Sequence, residues 1–161
     1  MNESPLKALM DVMPQTGRVE FISVRPARKE LPKPVEIVNA NPKSGLEGDH
    51  FSSSFSKKRQ VTLIQEEHLQ AVGNILKIKI DPLLTRRNIV VSGINLLALK
   101  DRSFAIGSAI FKGTGYCHPC SRMEKNLGPG GYNAMRGHGG LTAEVLQEGV
   151  IELGSEVRLI P

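Results

Sequence analysis

The sequence predicts a mixed α/β domain dominated by strands, arranged as a barrel-like fold with a few short helices. The chain has 161 residues, a length that suits one domain with its own hydrophobic core. Its 16 glycines and 10 prolines favour many turns and short strands over long helices. Short runs rich in β-branched residues recur between these breakers, which is the pattern of a strand-rich fold.

Helical patterns are confined to three places. A Ser-Pro start, apolar residues at helical spacing and a proline stop predict a helix over residues 4–13. Helical spacing predicts a second helix over residues 65–76, and capping signals predict a short third helix over about 120–127. We expect residues 1–16 to form a helical extension and residues 17–161 to form a single domain.

The other apolar segments are predicted to be strands joined by turns and loops. A long polar stretch that includes Gly45 and Gly48 precedes the third of them. Because a structureless loop of such length is usually functional or disordered, we expect residues 43–60 to fold over the region of Cys120. The predicted strands cover residues 18–25, 34–39, 61–64, 88–96, 103–107, 109–116 and 141–150, and two more flank a glycine turn within 150–160.

Charge and composition narrow the classes of function. The net charge of +5 is spread evenly over the two halves of the chain, which suits an anionic small ligand. Aromatic residues make up 4% and there is no Trp, so few side chains are available to stack on bases and nucleic acid is not expected. No apolar run approaches the roughly 18 residues of a membrane span, and no secretion signal is recognisable. We therefore expect a cytoplasmic protein without membrane association.

The strongest chemical signal is the segment Cys117-His118-Pro119-Cys120. Cys120 is predicted at the start of a helix, with Arg122 in the first turn, and both features favour a thiolate. Cys117 would precede the helix and act as a resolving thiol or have no chemical role. The surrounding polar and glycine-rich residues are unusual for a hydrophobic core, although free cysteines are often simply buried.

Two other kinds of cysteine site fit the sequence less well. A thioredoxin-type dithiol belongs near a βαβ pattern, whereas this motif follows a run of predicted hairpins. A structural zinc site needs four ligands, and His118 and His138 lack the usual spacing of a histidine pair. The sequence therefore favours a reactive cysteine over a zinc centre.

Several polar residues are candidates to hold an anion beside this cysteine. Arginine suits bidentate binding of phosphate or carboxylate. Arg87, followed by Asn88, stands at the start of an apolar strand, where an inward-pointing guanidinium would need an anionic partner. Asp49 and His50 follow two glycines and are placed to position a proton or orient an arginine. The wider cationic set comprises Lys57, Lys58, Arg59, Arg86, Arg122 and Arg136.

Seven segments form an ordered series along the chain, at residues 33–35, 45–50, 59–64, 86–94, 106–107, 117–123 and 149–154. Taken in this order, they resemble the MOSC domain, which occurs at the C-terminus of molybdenum cofactor sulfurases and as small stand-alone bacterial proteins. The resemblance covers nearly all of residues 17–161, and it implies a strand-rich, barrel-like fold. Ser155 departs from the family, which commonly has Asp after the final glycine, and this difference is expected to change only a turn cap.

The resemblance also implies a function. It implies that Cys120 carries sulfur as a persulfide or ligates molybdenum in a bound molybdopterin cofactor, and that basic residues hold the cofactor's phosphate. Pyridoxal phosphate would enter only through a separate cysteine desulfurase, because the sequence contains no such domain. The candidate cofactor-binding residues on the matching segments are Lys33, Asp49, His50, Arg59, Arg87, Asn88 and Arg122.

Three functions remain open on the sequence. The first is a small sulfur carrier or molybdenum-cofactor-binding protein that reacts through Cys120. The second is the terminal subunit of a molybdenum-dependent system that reduces N-hydroxylated substrates, with electron-transfer proteins as partners. The third is a non-catalytic module that binds the pterin or a protein partner. The expected partners are thus the anionic pterin, a desulfurase or electron-transfer proteins acting in trans.

Overall fold

Short strands close into a barrel in the computed structural model, which describes residues 4–51 and 56–161. Within these residues seven strands follow one another around the barrel in the order β11-β7-β8-β9-β5-β6-β1, and β11 closes it by pairing with β1. The strands are β1 Gly17–Val24, β2 Lys33–Val35, β3 Ile37–Asn41, β4 Gly45–Leu46, β5 Val61–Gln65, β6 Ile89–Ser92, β7 Ser103–Ile106, β8 Ala109–Tyr116, β9 Leu141–Gln147, β10 Gly149–Glu152 and β11 Glu156–Leu159.

Three further strand pairings lie outside the barrel in the described residues. β2 extends the edge of β1, and β10, β3 and β4 form a separate three-stranded sheet. β5 and β6 are parallel, whereas the other pairs of named strands are antiparallel. A parallel pair needs a crossover, and the helix α2 provides it. The helices are α1 Pro5–Met10, α2 Glu66–Leu76, α3 Pro82–Thr85, α4 Ser121–Leu127 and α5 Gly131–Met135, with a 3₁₀ turn at Leu96–Leu99.

Apolar side chains pack on both faces of the barrel wall. Successive residues of a strand point to opposite faces, so Leu63 of β5 joins the barrel interior and Ile64 points outward. The interior includes the stacked rings of Phe104 and Phe111, whose centroids are 5.7 Å apart. On the outside, α2, α4 and α5 cover Ile64 and its neighbours in a second cluster. The helices thereby hold the segment that carries the cysteines against the barrel.

The predicted fold class is confirmed, and the differences lie in short elements. The predicted strand 88–96 ends at Ser92, because Gly93 takes a positive φ of 81° and Asn95 caps the 3₁₀ turn that follows. The short helices α3 and α5 were not predicted. α3 begins where the side chain of Asp81 accepts a hydrogen bond from the Leu83 N–H.

The N-terminal segment forms the predicted helix but does not bury its apolar face. None of the residues of α1 is buried. The segment's apolar residues at helical spacing are Leu6, Leu9, Met10 and Met13; Met13 packs against the barrel core, and the other three are exposed. Arg102 holds the segment through Asp11, at 2.6 Å, and the Met10 carbonyl. The boundary predicted between residues 16 and 17 coincides with the start of β1. In the described part of the chain, no helix has the length and apolar character needed to cross a membrane.

Candidate functional site

A cavity of about 220 Å³ lies between the barrel wall and the segment that follows β8. Three strand ends meet beside it: the end of β1 and the starts of β5 and β6, which pair at neighbouring positions. The loop after β4 and the start of α4 complete its wall. The lining residues are Ser23, Arg25, Pro32, Asp49, His50, Phe51, Arg59, Gln60, Thr62, Arg86, Arg87, Asn88, Cys117, Cys120, Arg122 and Met123.

Asn88 ties the three strand ends together. Its Oδ1 accepts hydrogen bonds from the N–H and the hydroxyl of Thr62, at 3.0 and 3.1 Å. Its Nδ2 donates to the Ser23 carbonyl at 3.2 Å. The Asn88 amide is thus used to hold the strands that form the cavity wall.

Arg87 clamps the cysteine segment from inside the cavity wall. The residue is 8% exposed, and its Nε donates to the Gly139 carbonyl at 2.7 Å. Nη1 donates to the Thr85 carbonyl at 3.0 Å, and Nη2 lies 3.4 Å from the Cys117 carbonyl and 3.5 Å from that of His118. The sequence led us to expect an anionic partner for this guanidinium. The structure shows backbone carbonyls instead, because the turns before β6 and β9 converge on it.

The other arginines leave the cavity strongly cationic. Arg25, Arg59, Arg86 and Arg122 all line it, and none of them makes a salt bridge within the described residues. Burial lowers the pKa of the Arg86 guanidinium, and the charges of Arg25 and Arg122 lower it further. Such mutual repulsion would be relieved by a bound anion.

Asp49 is the acidic residue that lines this cavity. Its Oδ1 accepts a hydrogen bond from the Arg25 N–H at 2.7 Å, while the His50 N–H donates to the Arg25 carbonyl at 2.6 Å. Burial raises the pKa of Asp49, although hydrogen bonds from the Arg25 backbone and the Asn88 side chain oppose this shift. Among the described residues, one carboxyl group therefore shares the cavity with five arginines, and its burial outweighs the hydrogen bonds and the Arg25 and His50 charges that favour its ionised form.

The two cysteines differ in exposure and in the freedom of their side chains. Cys120 is exposed and is the N-cap residue of α4, but its side chain makes no capping hydrogen bond. Cys117 is 2% exposed, and its N–H donates to the Gly140 carbonyl at 2.8 Å. Its Sγ lies 3.9 Å from Nη2 of Arg59. The cavity therefore holds one exposed thiol and one buried thiol in contact with a guanidinium.

The structure brings most of the predicted site residues together. The predicted residues that line this cavity are Cys120, Asp49, His50, Arg59, Arg87, Asn88 and Arg122. Lys33 does not line it; this residue is exposed on β2, and its neighbour Pro32 lines the cavity instead. Of the 43–60 segment, residues 49–51, 59 and 60 lie at the cavity, which agrees with the expected proximity to Cys120; residues 52–55 lie outside the described residues.

Arg25 and Phe51 were not predicted as site residues, and Arg86 was named only within the wider cationic set. Arg25 directly follows the apolar strand β1, and Arg87 stands just before the apolar strand β6. An arginine at the end of an apolar strand is the pattern that singled out Arg87, and it could have indicated Arg25 as well. Arg86 reaches the cavity because it ends α3 in the left-handed conformation, with φ of 59°. Nothing in the sequence indicates that conformation for an arginine. Phe51 likewise carried no signal beyond its place after His50.

His138 belongs to a different environment from the cysteines. Its ring meets that of His68 edge to face, with centroids 4.8 Å apart, and its buried Nδ1 has no hydrogen-bond partner among the described residues. Burial, and then the neighbouring His138, lower the pKa of His68. Among residues 4–51 and 56–161, no three Cys, His, Asp or Glu side chains are grouped as metal ligands.

A second cleft lies on the other side of the cysteine segment. Its volume is about 310 Å³, and its wall is mainly apolar and glycine-rich. Cys117 lines both this cleft and the cationic cavity, so the segment forms the partition between them. The other lining residues are Leu97, Tyr116, His118, Pro119, Gly137, Gly139 and Gly140.

Comparisons with known proteins identify relatives of the fold. The family model described as MOSC domain matches residues 50–158. The YuaD protein of Bacillus subtilis superposes with a TM-score of 0.75 at 18% identity, covering 89% of this chain and 95% of that chain. YiiM of Geobacillus stearothermophilus gives 0.73 at 20% identity, with 90% and 75% covered. YiiM of Escherichia coli gives 0.67 at 16% identity, with 89% and 70% covered. No curated protein matches the chain.

Proposed function

Because this chain belongs to the MOSC domain family, which is associated with molybdenum-cofactor-related function, we propose that it is a sulfur carrier that acts on a phosphate-bearing ligand. In this proposal Cys120 carries the sulfur as a persulfide, and the cavity arginines hold the ligand's phosphate. The ligand that the family implies is the molybdenum cofactor. The family match supports the class of ligand, and the cavity supports the assignment of residues.

One observation carries the proposal: among the described residues, a free, exposed thiol shares a cavity with five arginines and a single carboxylate. Arginine guanidinium groups bind phosphate through charge-assisted hydrogen bonds, which are about twice as strong as neutral ones. Thiols beside cationic groups are the ones that react. The cavity thus unites an anion site and a nucleophile, as a transfer of sulfur to a bound phosphate ester requires.

The residues present fit the phosphate-bearing end of a molybdenum cofactor. The cavity volume of about 220 Å³ is below the roughly 300–1,000 Å³ of sites that enclose a drug-sized ligand, so the rest of the molecule would extend outside. Arg25, Arg59, Arg86 and Arg122 have guanidinium groups free of salt bridges in the described structure to hold the phosphate. The Cys120 sulfur is a soft ligand suited to a transition metal. When bound, the cofactor would supply a redox-active metal centre.

In this proposal Arg87 and Asn88 have structural roles, and Cys120 is the residue that reacts. Arg87 fixes the backbone of the cysteine segment through its carbonyl contacts, and Asn88 fixes the strand ends that present the arginines. Cys120 remains exposed to receive sulfur from a donor. We propose a cysteine desulfurase in trans as that donor, because persulfide formation on a thiol needs a sulfur source that these residues do not provide.

The test measures sulfur loading and anion binding separately. The purified chain is treated with polysulfide, and persulfide on each cysteine is measured by mass spectrometry of its peptides. We expect loading on Cys120 in the wild type and none at that position in Cys120→Ser. Elemental analysis for molybdenum and pterin fluorescence show in parallel whether the chain retains a cofactor. A chain that holds molybdenum but cannot be loaded with sulfur would replace the carrier function with a metal-ligand role for Cys120.

Anion binding has its own matched pair of variants. Removal of one charge-assisted hydrogen bond costs about 1.5 to 3 kcal/mol, or one to two powers of ten in affinity. We expect Arg86→Ala to weaken the binding of inorganic phosphate by that order in calorimetric titration. Arg136→Ala removes an exposed arginine that does not line the cavity, and it should leave the affinity unchanged. Equal affinities for both variants would contradict the assigned phosphate site.

A further inference from the structure

The buried thiol of Cys117 has no task in the carrier role of Cys120, yet it lines the same cavity. We propose that Cys117 is a resolving thiol, which attacks the Cys120 persulfide and releases its outer sulfur as hydrosulfide within the cationic cavity. This inference rests on the proposed function, and it adds the chemical form in which the sulfur leaves. A carrier without this step would pass on sulfane sulfur instead.

The two cysteines differ in how they are restrained, and the proposed step uses this difference. Cys117 is fixed: its N–H donates to the Gly140 carbonyl, and its own carbonyl faces Nη2 of Arg87. Cys120 directly follows Pro119, and as the N-cap residue of α4 it makes no capping hydrogen bond with its side chain. The exposed Cys120 thiol can receive sulfur from a donor outside the cavity. Because no capping hydrogen bond restrains the Cys120 side chain, it can then turn inward toward the fixed Cys117 sulfur.

The positive charge of the cavity arginines favours both the attack by the Cys117 sulfur and the departure of hydrosulfide. The Arg59 guanidinium, 3.9 Å from the Cys117 Sγ, stabilises negative charge on the attacking sulfur. No other hydrogen bond or salt bridge of the Arg59 side chain is seen in the described residues, so this contact is not shared with a carboxylate. Hydrosulfide leaves as an anion, and Arg25, Arg86 and Arg122 line the space around it. The same charges that hold a phosphate therefore stabilise the departing sulfur.

In this step the Cys117 sulfur forms a bond to the Cys120 sulfur, and the bond from the Cys120 sulfur to its outer sulfur breaks. The bonding electron pair leaves with the outer sulfur as hydrosulfide, and the Cys117 proton passes to solvent. The two cysteines are oxidised together by two electrons to a disulfide, while the outer sulfur is reduced to sulfide. A dithiol reductant then returns both cysteines to thiols and completes the cycle.

The experiment follows a single turnover without added thiol. The chain is loaded with polysulfide, freed of excess reagent and incubated, and both released sulfide and protein mass are measured. We expect about one equivalent of sulfide per chain and an intramolecular disulfide, in line with thiol exchange through a persulfide. Since the chain has only two cysteines, that disulfide joins Cys117 to Cys120. A dithiol should restore the capacity for a second turnover.

Variants separate this inference from the proposed function. Cys117→Ser and Cys117→Ala should still load sulfur on Cys120 but release sulfide at least about tenfold more slowly, because the attacking sulfur is absent. Arg59→Ala should slow release by about tenfold, the effect of one lost charge-assisted contact, whereas the adjacent exposed Lys58→Ala should not.

Three outcomes would overturn the inference. The first is release of sulfide at the wild-type rate by both Cys117 variants, and the second is a disulfide between two chains in place of the internal one. Either result leaves the loading of Cys120, and hence the proposed function, intact. The third is a failure of polysulfide to load Cys120 in the wild type, which would remove the proposed function and this inference together.

Discussion

Arg87 carries a buried positive charge whose hydrogen bonds all go to backbone carbonyls in the described structure. Removal of the side chain would leave these carbonyls without their donors, and unmade hydrogen bonds of buried groups cost about 1–3 kcal/mol each. We expect Arg87→Ala to lower the free energy of unfolding by about 3 kcal/mol in denaturant titration. Arg122→Ala, which removes an exposed arginine of the same cavity, should change it by less than about 0.5 kcal/mol. Similar losses in both variants would refute the clamping role.

Asp49 places a carboxyl group beside the arginines that line the cavity. Asp49→Asn keeps an oxygen for the Arg25 N–H and removes the carboxylate charge that faces the arginines. We expect the variant to bind inorganic phosphate several-fold more tightly at neutral pH, as measured by calorimetry. An unchanged or weaker affinity would show that the carboxylate does not influence the anion site.

The raised pKa of Asp49 predicts how the stability of the folded protein changes with pH. Because burial raises the pKa of Asp49 in the folded state, its contribution to stability is present below the unfolded pKa of 3.8 and is lost as the pH rises through the folded pKa. Asp49→Asn should therefore be more stable than the wild type at neutral pH. The difference should vanish below about pH 3.8. Denaturant titrations of both proteins across this range measure the effect, and a difference independent of pH would contradict it.

Exposure distinguishes the two thiols in a direct chemical test. Cys120 is exposed, whereas Cys117 is 2% exposed and shielded by the Arg87 clamp and the turn before β9. Iodoacetamide at neutral pH should label Cys120 first in the folded protein. Peptide mass spectrometry at short reaction times follows the two sites. Earlier labelling of Cys117 would reverse the assignment of carrier and resolving thiols.

At the scale of elements, the cysteine segment depends on a close approach of two backbones. A Cβ on Gly139 would lie 1.9 Å from the Cys117 carbonyl oxygen, so no side chain fits there without moving the segment. We expect Gly139→Ala to displace it and to destabilise the fold by about 1–3 kcal/mol, the usual cost of overpacking.

The nearby Gly137 serves as the matched control for this substitution. It has a positive φ of 83° but open space around its Cβ position, so Gly137→Ala adds backbone strain of about 1–2 kcal/mol without steric overlap. Thermal unfolding compares the stabilities, and the rate of Cys120 labelling reports the position of the segment. Gly139→Ala should alter the labelling rate and Gly137→Ala should not; equal rates would contradict the proposed packing constraint.

The short elements show where sequence patterns are sufficient and where they are not. The periodicity of α2 and the capping signals of α4 predicted those helices, because such signals lie within a few residues of chain. α5 begins after Gly130, and its first residue approaches the Met123 carbonyl closely. Because this contact joins α5 to α4, the sequence of α5 by itself does not predict the helix.

At the scale of the whole molecule, closure of the barrel depends on β11, which pairs with both β1 and β7. Deletion of residues 156–161 would remove the buried Val157 and Leu159 and expose two strand edges. We expect this truncation to abolish cooperative thermal unfolding in circular dichroism. Deletion of residues 1–12 removes an exposed helix and one ion pair with Arg102, and should cost about 1 kcal/mol or less. A cooperative transition in the first variant would show that the barrel does not need closure.

Local patterns in the sequence are sufficient to predict the fold class, the order of most strands and helices, and the cysteine at the start of α4. These features depend on hydrophobic periodicity, turn residues and helix caps, which act over short stretches of chain. The family's ordered segments also pointed to seven of the residues that line the cavity. At Ser155, the hydroxyl accepts a hydrogen bond from the Glu152 N–H within the turn, as a turn cap does.

The contacts that these residues make depend on how the whole elements pack in three dimensions. The convergence of β1, β5 and β6 brought Arg25 and Arg86 to the cavity, and it gave Arg87 carbonyl partners from three separate segments in place of an anion. The folded structure also leaves Lys33 outside the cavity and places the Cys117 sulfur in contact with the Arg59 guanidinium. Contacts between residues distant in sequence arise from the packing of whole elements, and the direction of a side chain depends on backbone angles that composition does not specify.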